Sequence, residues 1–240
     1  MVKKLLLLSL NLLLLNSVCF GAVAHVESFY NNANGTNPMV TELTISSSTN
    51  GILIVTAEGK QESDFISVTA VTWNGDSMTQ LTDADATFYL LNPDSGTHDL
   101  SVTHDSAYDM YAATTLYSGV AQESPAVDSR GTGATIVGEY YTPVDSSITS
   151  LKDNSMIYAV GNNHWTKRYV DTNGYTIRSP SGLVSNTTTT NRFIIMDLMK
   201  TSVGSSTFEY LVGNDGYTWE IDMVVLEPVT STFTPYVMIF

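Results

Sequence analysis

Short runs of apolar or alternating residues, separated by polar turn formers, fill most of the chain. In Val68–Trp73, and again over residues 100–103, apolar and polar side chains alternate with a period of two. Successive side chains of a strand point to opposite faces, so this pattern is typical of a strand with one face in a core and one in water. The sequence therefore predicts β-structure with half-buried strands.

The predicted strands share a high content of Val, Ile, Thr, Tyr and Phe, which strands favour. They cover residues 39–45, 52–57, 66–73, 87–91, 98–104, 110–118, 134–141, 156–161, 192–199, 207–212 and 218–226. Residues 28–38 are interpreted as a polar lead. Asn74-Gly75 predicts a tight hairpin, and the segment from Pro93 to Gly96 a second turn. Many short strands with regular turns predict an all-β protein, a single antiparallel sandwich or a barrel.

The first residues have the form of a signal peptide. Lys3 and Lys4 precede a leucine-rich run that ends at Leu15, and the sequence from Ala22 to Ala24 fits an A-x-A cleavage site. This predicts a signal peptide over 1–24 and one β-sandwich domain over 25–240. The protein would then be secreted, periplasmic or on the cell surface, and not membrane-spanning after cleavage. The alternatives are an uncleaved anchor, for which the apolar run is short, and a lipidated Cys19.

Cysteine usage and charge exclude several classes of function. Cys19 is the only cysteine and lies in the predicted signal, so the mature domain has no disulfide and no thiolate metal site. The chain has 24 acidic and 10 basic residues, with a net charge of −14. Such a field repels phosphate backbones and anionic membranes, which excludes nucleic acid as an expected partner.

Four segments resemble, in order along the chain, a large and poorly characterised family of bacterial and phage-associated secreted β-sandwich domains. Residues 71–79 (VTWNGDSMT) are similar to that family's VT-aromatic-NG hairpin, and residues 88–97 (FYLLNPDSGT) to its YLxNPxSGT strand and turn. Residues 117–125 resemble its SGV…P segment, and residues 219–228 its closing W…L-x-P strand. The resemblance implies a jelly-roll-like sandwich and carries over no catalytic residue.

Loop aromatics are the candidate ligand-binding residues. Aromatic rings beside amides suit a sugar, because its C–H face stacks on a ring while its hydroxyls form hydrogen bonds. We expect the predicted site to contain Asn163, His164, Trp165, Tyr169 and Tyr175. The other interpretation is that these aromatics are core and rim residues of a sandwich.

No cofactor is expected from these residues apart from calcium. Ca²⁺ takes oxygen ligands from loop carboxylates, and Asp83 and Asp85 are the first candidates for such a site. The alternative is that these aspartates form turns. Whether the protein is an enzyme stays open, with a non-catalytic function favoured. No G-x-S-x-G motif occurs, and Glu139 and Glu220 are unusual only in lying in strand-like runs.

Three functions are therefore weighed. The first is a non-catalytic surface module that binds glycan or another cell-surface ligand. The second is a structural subunit of a layer, filament or particle. It would form a homo-oligomer through edge strands or through the apolar tail from Phe233 to Phe240. The third is a glycan-active hydrolase with a carboxylate pair.

Overall fold

The described part of the chain is entirely β. The computed structural model describes residues 21–33, 36–59, 67–81, 87–105, 110–123, 125, 127–134, 141–163, 168–169, 174–179, 193–213 and 218–230. Within these residues all regular structure is strand, and every strand pair is antiparallel.

The first nine strands lie before residue 120 and the other eight after it. They are β1 (Ala24–Ala33), β2 (Met39–Ile45), β3 (Ile52–Gly59), β4 (Val68–Trp73), β5 (Asp76–Ser77), β6 (Thr79–Gln80), β7 (Thr87–Leu91), β8 (Gly96–His104), β9 (Met110–Ser118), β10 (Val127–Ala134), β11 (Tyr141–Ser150), β12 (Ser155–Asn163), β13 (Arg168–Tyr169), β14 (Thr176–Ser179), β15 (Phe193–Lys200), β16 (Gly204–Gly213) and β17 (Thr218–Leu226).

The strand order defines two jelly rolls in tandem. Strands β1–β9 form one sheet in the order β1-β9-β3-β7-β6 and a second in the order β2-β8-β4-β5. Strands β10–β17 repeat this arrangement in the sheets β10-β17-β12-β15-β14 and β11-β16-β13. In each half the first strand pairs with the last, and the second with the next to last, as in a jelly roll. We call the two halves the N-terminal and the C-terminal sandwich.

The antiparallel, jelly-roll-like all-β fold expected from the sequence is confirmed. The described strands form four sheets, where one sandwich has two. The junction between the two sandwiches is short, since residues 119–126 connect β9 to β10. No change of composition marks it. The second half begins there without a signal that the sequence pattern alone could reveal.

Three apolar clusters hold the four sheets in a stack. The first, around Trp73 and Leu116, fills the N-terminal sandwich. The third, around Phe208 and Met223, fills the C-terminal sandwich. The second lies between the two sandwiches and joins the outward faces of β3 and β9 to those of β12 and β17. The sheets β1-β9-β3-β7-β6 and β10-β17-β12-β15-β14 therefore contribute both of their faces to apolar cores.

Most predicted strands are confirmed, and the three long strands that the sequence pattern missed are edge strands. Strands β2, β7, β9 and β17 have the predicted bounds. Strand β1 falls largely in the predicted polar lead, and β10 and β11 lie mostly outside the run predicted over 134–141. Each of the three is at the edge of its sheet. Edge strands tolerate polar residues and proline, such as Pro143 in β11, and these three lack the alternation that β2, also an edge strand, retains.

The predicted hairpin at Asn74-Gly75 is confirmed. Both residues have positive φ, 52° and 85°, and they join β4 to β5. Two positive φ angles match the right-handed twist of the flanking strands. Beside this turn the Trp73 indole N–H donates to the Asp94 carbonyl oxygen at 3.0 Å, and the Trp73 side chain is fully buried, as expected for a core residue.

Candidate functional site: a polar cluster between the sandwiches

A buried carboxylate is the centre of the polar groups between the two sandwiches. Asp197 lies on β15 and is 2% exposed. Its Oδ2 accepts a hydrogen bond from Arg178 Nε of β14 at 2.7 Å and another from the Tyr117 hydroxyl of β9 at 3.1 Å. Arg178 belongs to the C-terminal sandwich and Tyr117 to the N-terminal one. The carboxylate therefore connects the two sandwiches.

Tyr158 of β12 forms a second polar connection. Its hydroxyl is 2.7 Å from Thr56 Oγ1 on β3, and Thr56 Oγ1 is 3.0 Å from Thr87 Oγ1 on β7. The rings of Tyr158 and Tyr117 meet edge to face, with centroids 6.4 Å apart. Two tyrosine hydroxyls thus cross the apolar interface in opposite directions, and each has a partner on the other sandwich.

His25 of β1 borders the cluster. Its ring packs edge-on against Tyr117 at 5.7 Å, and its Nε2 is 2.8 Å from Ser28 Oγ. Burial lowers the pKa of the imidazole below its ordinary value of 6.5. The Arg178 guanidinium lowers it further, whereas the Asp197 and Glu27 carboxylates act in the opposite direction. The environment therefore favours the neutral ring.

The two tyrosines of the cluster keep their hydroxyl protons. Burial raises the pKa of the Tyr117 hydroxyl well above 10, and the charge of Asp197 raises it further. Burial also raises the pKa of Tyr158, although its hydrogen bond with Thr56 has the opposite effect. A neutral hydroxyl costs far less to bury than a phenolate. The cluster is suited to hold the facing sheets of the two sandwiches in one relative position.

The sequence pattern did not identify this cluster. Asp197 is a single acid in the apolar strand Phe193–Lys200, and that contrast is the one signal that could have drawn attention to it. A charged residue is rarely fully buried unless it is paired. Its partners Arg178 and Tyr117 are far apart in the sequence, so only the fold brings them together.

The predicted ligand-binding residues are placed as follows. Asn163 is the last residue of β12, opposite Trp219, and Tyr169 ends β13, opposite Leu211. His164 and Trp165 lie outside the described residues. Tyr175 is a core residue, 4% exposed, with its ring 5.4 Å from that of Phe208. Its burial corrects the expectation that its ring is available to a ligand, and glycan binding by the other four stays a prediction.

The structure does not test the predicted metal site. Asp83, Asp85 and Glu139 lie outside the described residues, so calcium binding stays a prediction. Glu220 lies on β17 opposite Thr132 and Asn162. Among the described residues, no group of three or more His, Cys, Asp or Glu side chains could hold a metal ion. The same residues contain no helix long and apolar enough to cross a bilayer.

Comparison with known proteins gives only distant structural likeness. No family model and no curated protein matches this chain, so the predicted family membership stays an expectation. For a conserved protein of unknown function from Pseudomonas aeruginosa the TM-score is 0.35 with 7% identity. The match covers 83% of this chain and 79% of the other.

Two similar structures come from viruses. For the major capsid protein P2 of bacteriophage PM2 the TM-score is 0.27 with 9% identity, and the match covers 85% of this chain and 98% of the other. For the MCP of STIV the values are 0.29 and 10%, with 87% and 97% covered. Likeness at this level decides neither family nor function. The class of this protein is defined by its own topology, which is two jelly-roll sandwiches packed face to face.

Proposed function

We propose that the protein is an exported structural subunit that assembles with copies of itself. The observation that carries the proposal is an exposed apolar end of the C-terminal sandwich, formed by Leu151 and Val203. These side chains are 57% and 55% exposed. Clustered exposed apolar side chains are typical of association surfaces, whereas single ones are ordinary.

The apolar end is held in place by the fold. Leu151 and Val203 flank Ser150 and Gly204, the last pair of β11 and β16. The Val203 backbone N–H donates to Asp153 Oδ1 at 2.9 Å, which joins the two turns. An ordered surface loses less conformational freedom on association than a mobile one, which lowers one part of the cost of assembly.

The stacked architecture also suits a structural role. The two sandwiches share an apolar interface, and the Tyr117 hydroxyl of one donates to the buried Asp197 carboxylate of the other. A buried network of this kind fixes one relative orientation. A layer or particle needs subunits of one shape, because each contact is repeated many times. The support comes from these contacts and not from the distant viral likeness.

The test is sedimentation velocity on the purified protein over a range of concentrations and salt. We expect oligomers, strengthened by salt because screening weakens repulsion between acidic copies. The double variant Leu151→Ser/Val203→Ser should sediment as a folded monomer. The matched control is Val40→Ser on β2, which changes a side chain that is 52% exposed on the other sandwich and should leave oligomers unchanged.

Two results would contradict the proposal: a monomer under every condition, or oligomers that survive the double variant. In the second case the tail from Phe233 to Phe240 becomes the next candidate. Its removal should begin at residue 231, because Val229 N–H donates to the Gly119 carbonyl oxygen and Pro228 is bridged to Val120. Deleting those two residues would disturb the fold itself.

A further inference from the structure

The residues just before β1 are part of the folded core. Val23 is fully buried in the cluster between the two sandwiches. Its backbone N–H donates to the Asn154 carbonyl oxygen at 3.2 Å, in the turn between β11 and β12. Val23 thus contacts the C-terminal sandwich although it precedes the first strand of the N-terminal one.

Ala22 is exposed, but its backbone carbonyl lies against Gly119. Its carbonyl oxygen lies 2.7 Å from where a Cβ on Gly119 would stand, and Gly119 has a φ of 74°. Two backbone hydrogen bonds hold Gly119 in place. Its N–H donates to the Thr49 carbonyl oxygen, and its carbonyl oxygen accepts from the Val229 N–H. Only glycine fits this close backbone approach. Gly21 is also exposed, and nothing lies within 4 Å of its Cβ position.

Cleavage after Ala24, which the A-x-A pattern predicts, would remove these contacts. We propose instead that a signal peptidase cuts the bond between Gly21 and Ala22, so that the mature chain begins at Ala22. This proposal rests on the proposed export. A signal peptidase requires small residues one and three positions before the cut, and Gly21 and Cys19 meet this requirement. Water supplies a hydroxyl to the Gly21 carbonyl carbon and a proton to the Ala22 nitrogen.

The direct test is the intact mass of protein exported from a bacterial host with its own leader. A mature chain that begins at Ala22 is expected. A chain that begins at His25, or a lipidated chain that begins at Cys19, would overturn the proposed cut but leave export standing. An exported chain that keeps Met1 would overturn the cleavage altogether, and protein found only in the cytoplasm would overturn export as well. Assembly is measured separately on purified protein.

Matched variants separate the two cleavage sites. Gly21 and Ala24 are both exposed, so a large side chain at either position is tolerated by the fold. Gly21→Tyr should abolish the form that begins at Ala22, and Ala24→Tyr should leave it unchanged. The reverse result would assign the cut to Ala24.

A stability comparison tests the structural reason without any host. Protein beginning at Ala22 should unfold about 5–10 °C higher than protein beginning at His25, because the shorter chain loses a buried valine and its hydrogen bond. Val23→Ala in the longer chain should produce a smaller drop in the same direction. Equal unfolding midpoints for all three proteins would remove the basis of the proposal.

Discussion

At the residue scale, His25 shows how burial changes the chemistry of a side chain that the sequence places near a chain end. Its ring contacts Tyr117, its Nε2 meets Ser28, and the charges that act on it come from β14, β15 and its own strand. The sequence around it shows only Glu27 as a charged neighbour. The influence of Arg178 and Asp197 exists only in the fold.

His25 predicts a dependence of stability on pH. The pKa is lowered in the folded state, so the unfolded chain binds a proton first on acidification. The stabilisation is present above about pH 6.5, the unfolded value, and falls as the pH drops toward the folded pKa. The slope from this one group is at most about 1.4 kcal/mol per pH unit.

The measurement is denaturant unfolding of the wild type and His25→Gln between pH 7.5 and 5. The difference between their free energies of unfolding should shift in favour of the variant as the pH falls. Acidic residues elsewhere titrate equally in both proteins and cancel in the difference. A difference that does not change with pH would contradict the lowered pKa.

At the element scale, β14 and β15 are joined by the ion pair between Arg178 and Asp197. The Arg178 side chain is 25% exposed and that of Asp197 only 2%. The arginine can therefore reach water if its partner is removed, whereas the carboxylate cannot. A buried charge without a partner is far more costly than one that is hydrated.

We expect Arg178→Met to destabilise the protein by about 3–5 kcal/mol. The double variant Arg178→Met/Asp197→Asn should recover most of that loss, because it buries no charge and keeps an acceptor for the Tyr117 hydroxyl. The free energies of unfolding of the two single variants and of the double variant form a cycle that isolates the pair. A double variant as unstable as the sum of both single variants would show that the pair is not coupled.

The positions of the strands show which of them the sequence alone can predict. Inner strands such as β9 and β17 have the bounds that their apolar pattern predicts, because one or both faces are buried. The edge strands β1, β10 and β11 are polar and were not identified. Their pairing is stabilised by the neighbouring strand, through backbone groups that every residue carries.

At the scale of the whole molecule, the apolar cluster between the sandwiches predicts that both unfold together. Ile54 of β3 is fully buried and faces this interface, whereas its neighbour Leu53 faces the core of the N-terminal sandwich. Separating the sandwiches would expose the apolar faces of two sheets, which disfavours an intermediate with one half unfolded.

Ile54→Ala should therefore cost about 2–5 kcal/mol and lower a single transition, without splitting it into two. Calorimetry tests the number of transitions, and hydrogen exchange read by mass spectrometry compares peptides from β3 and β12. Leu53→Ala is the matched control, with a similar cost inside one sandwich. Two transitions, or faster exchange in β3 alone, would contradict the shared stability.

The sequence by itself determined the fold class, the inner strands, the hairpin at Asn74-Gly75 and the negative net charge. These properties are local, since strand periodicity and turn conformation depend on residues a few positions apart. The same local reading placed Tyr175 in an exposed loop, because nothing near it shows that Phe208 covers its ring.

Only the tertiary structure decided that there are two sandwiches, that Asp197 and Tyr158 connect them, and that Val23 belongs to their shared core. Each of these features joins residues that are far apart in the sequence. Burial and pairing of such residues depend on which sheet faces which, and that choice is made by the packing of the whole chain and not by any local pattern.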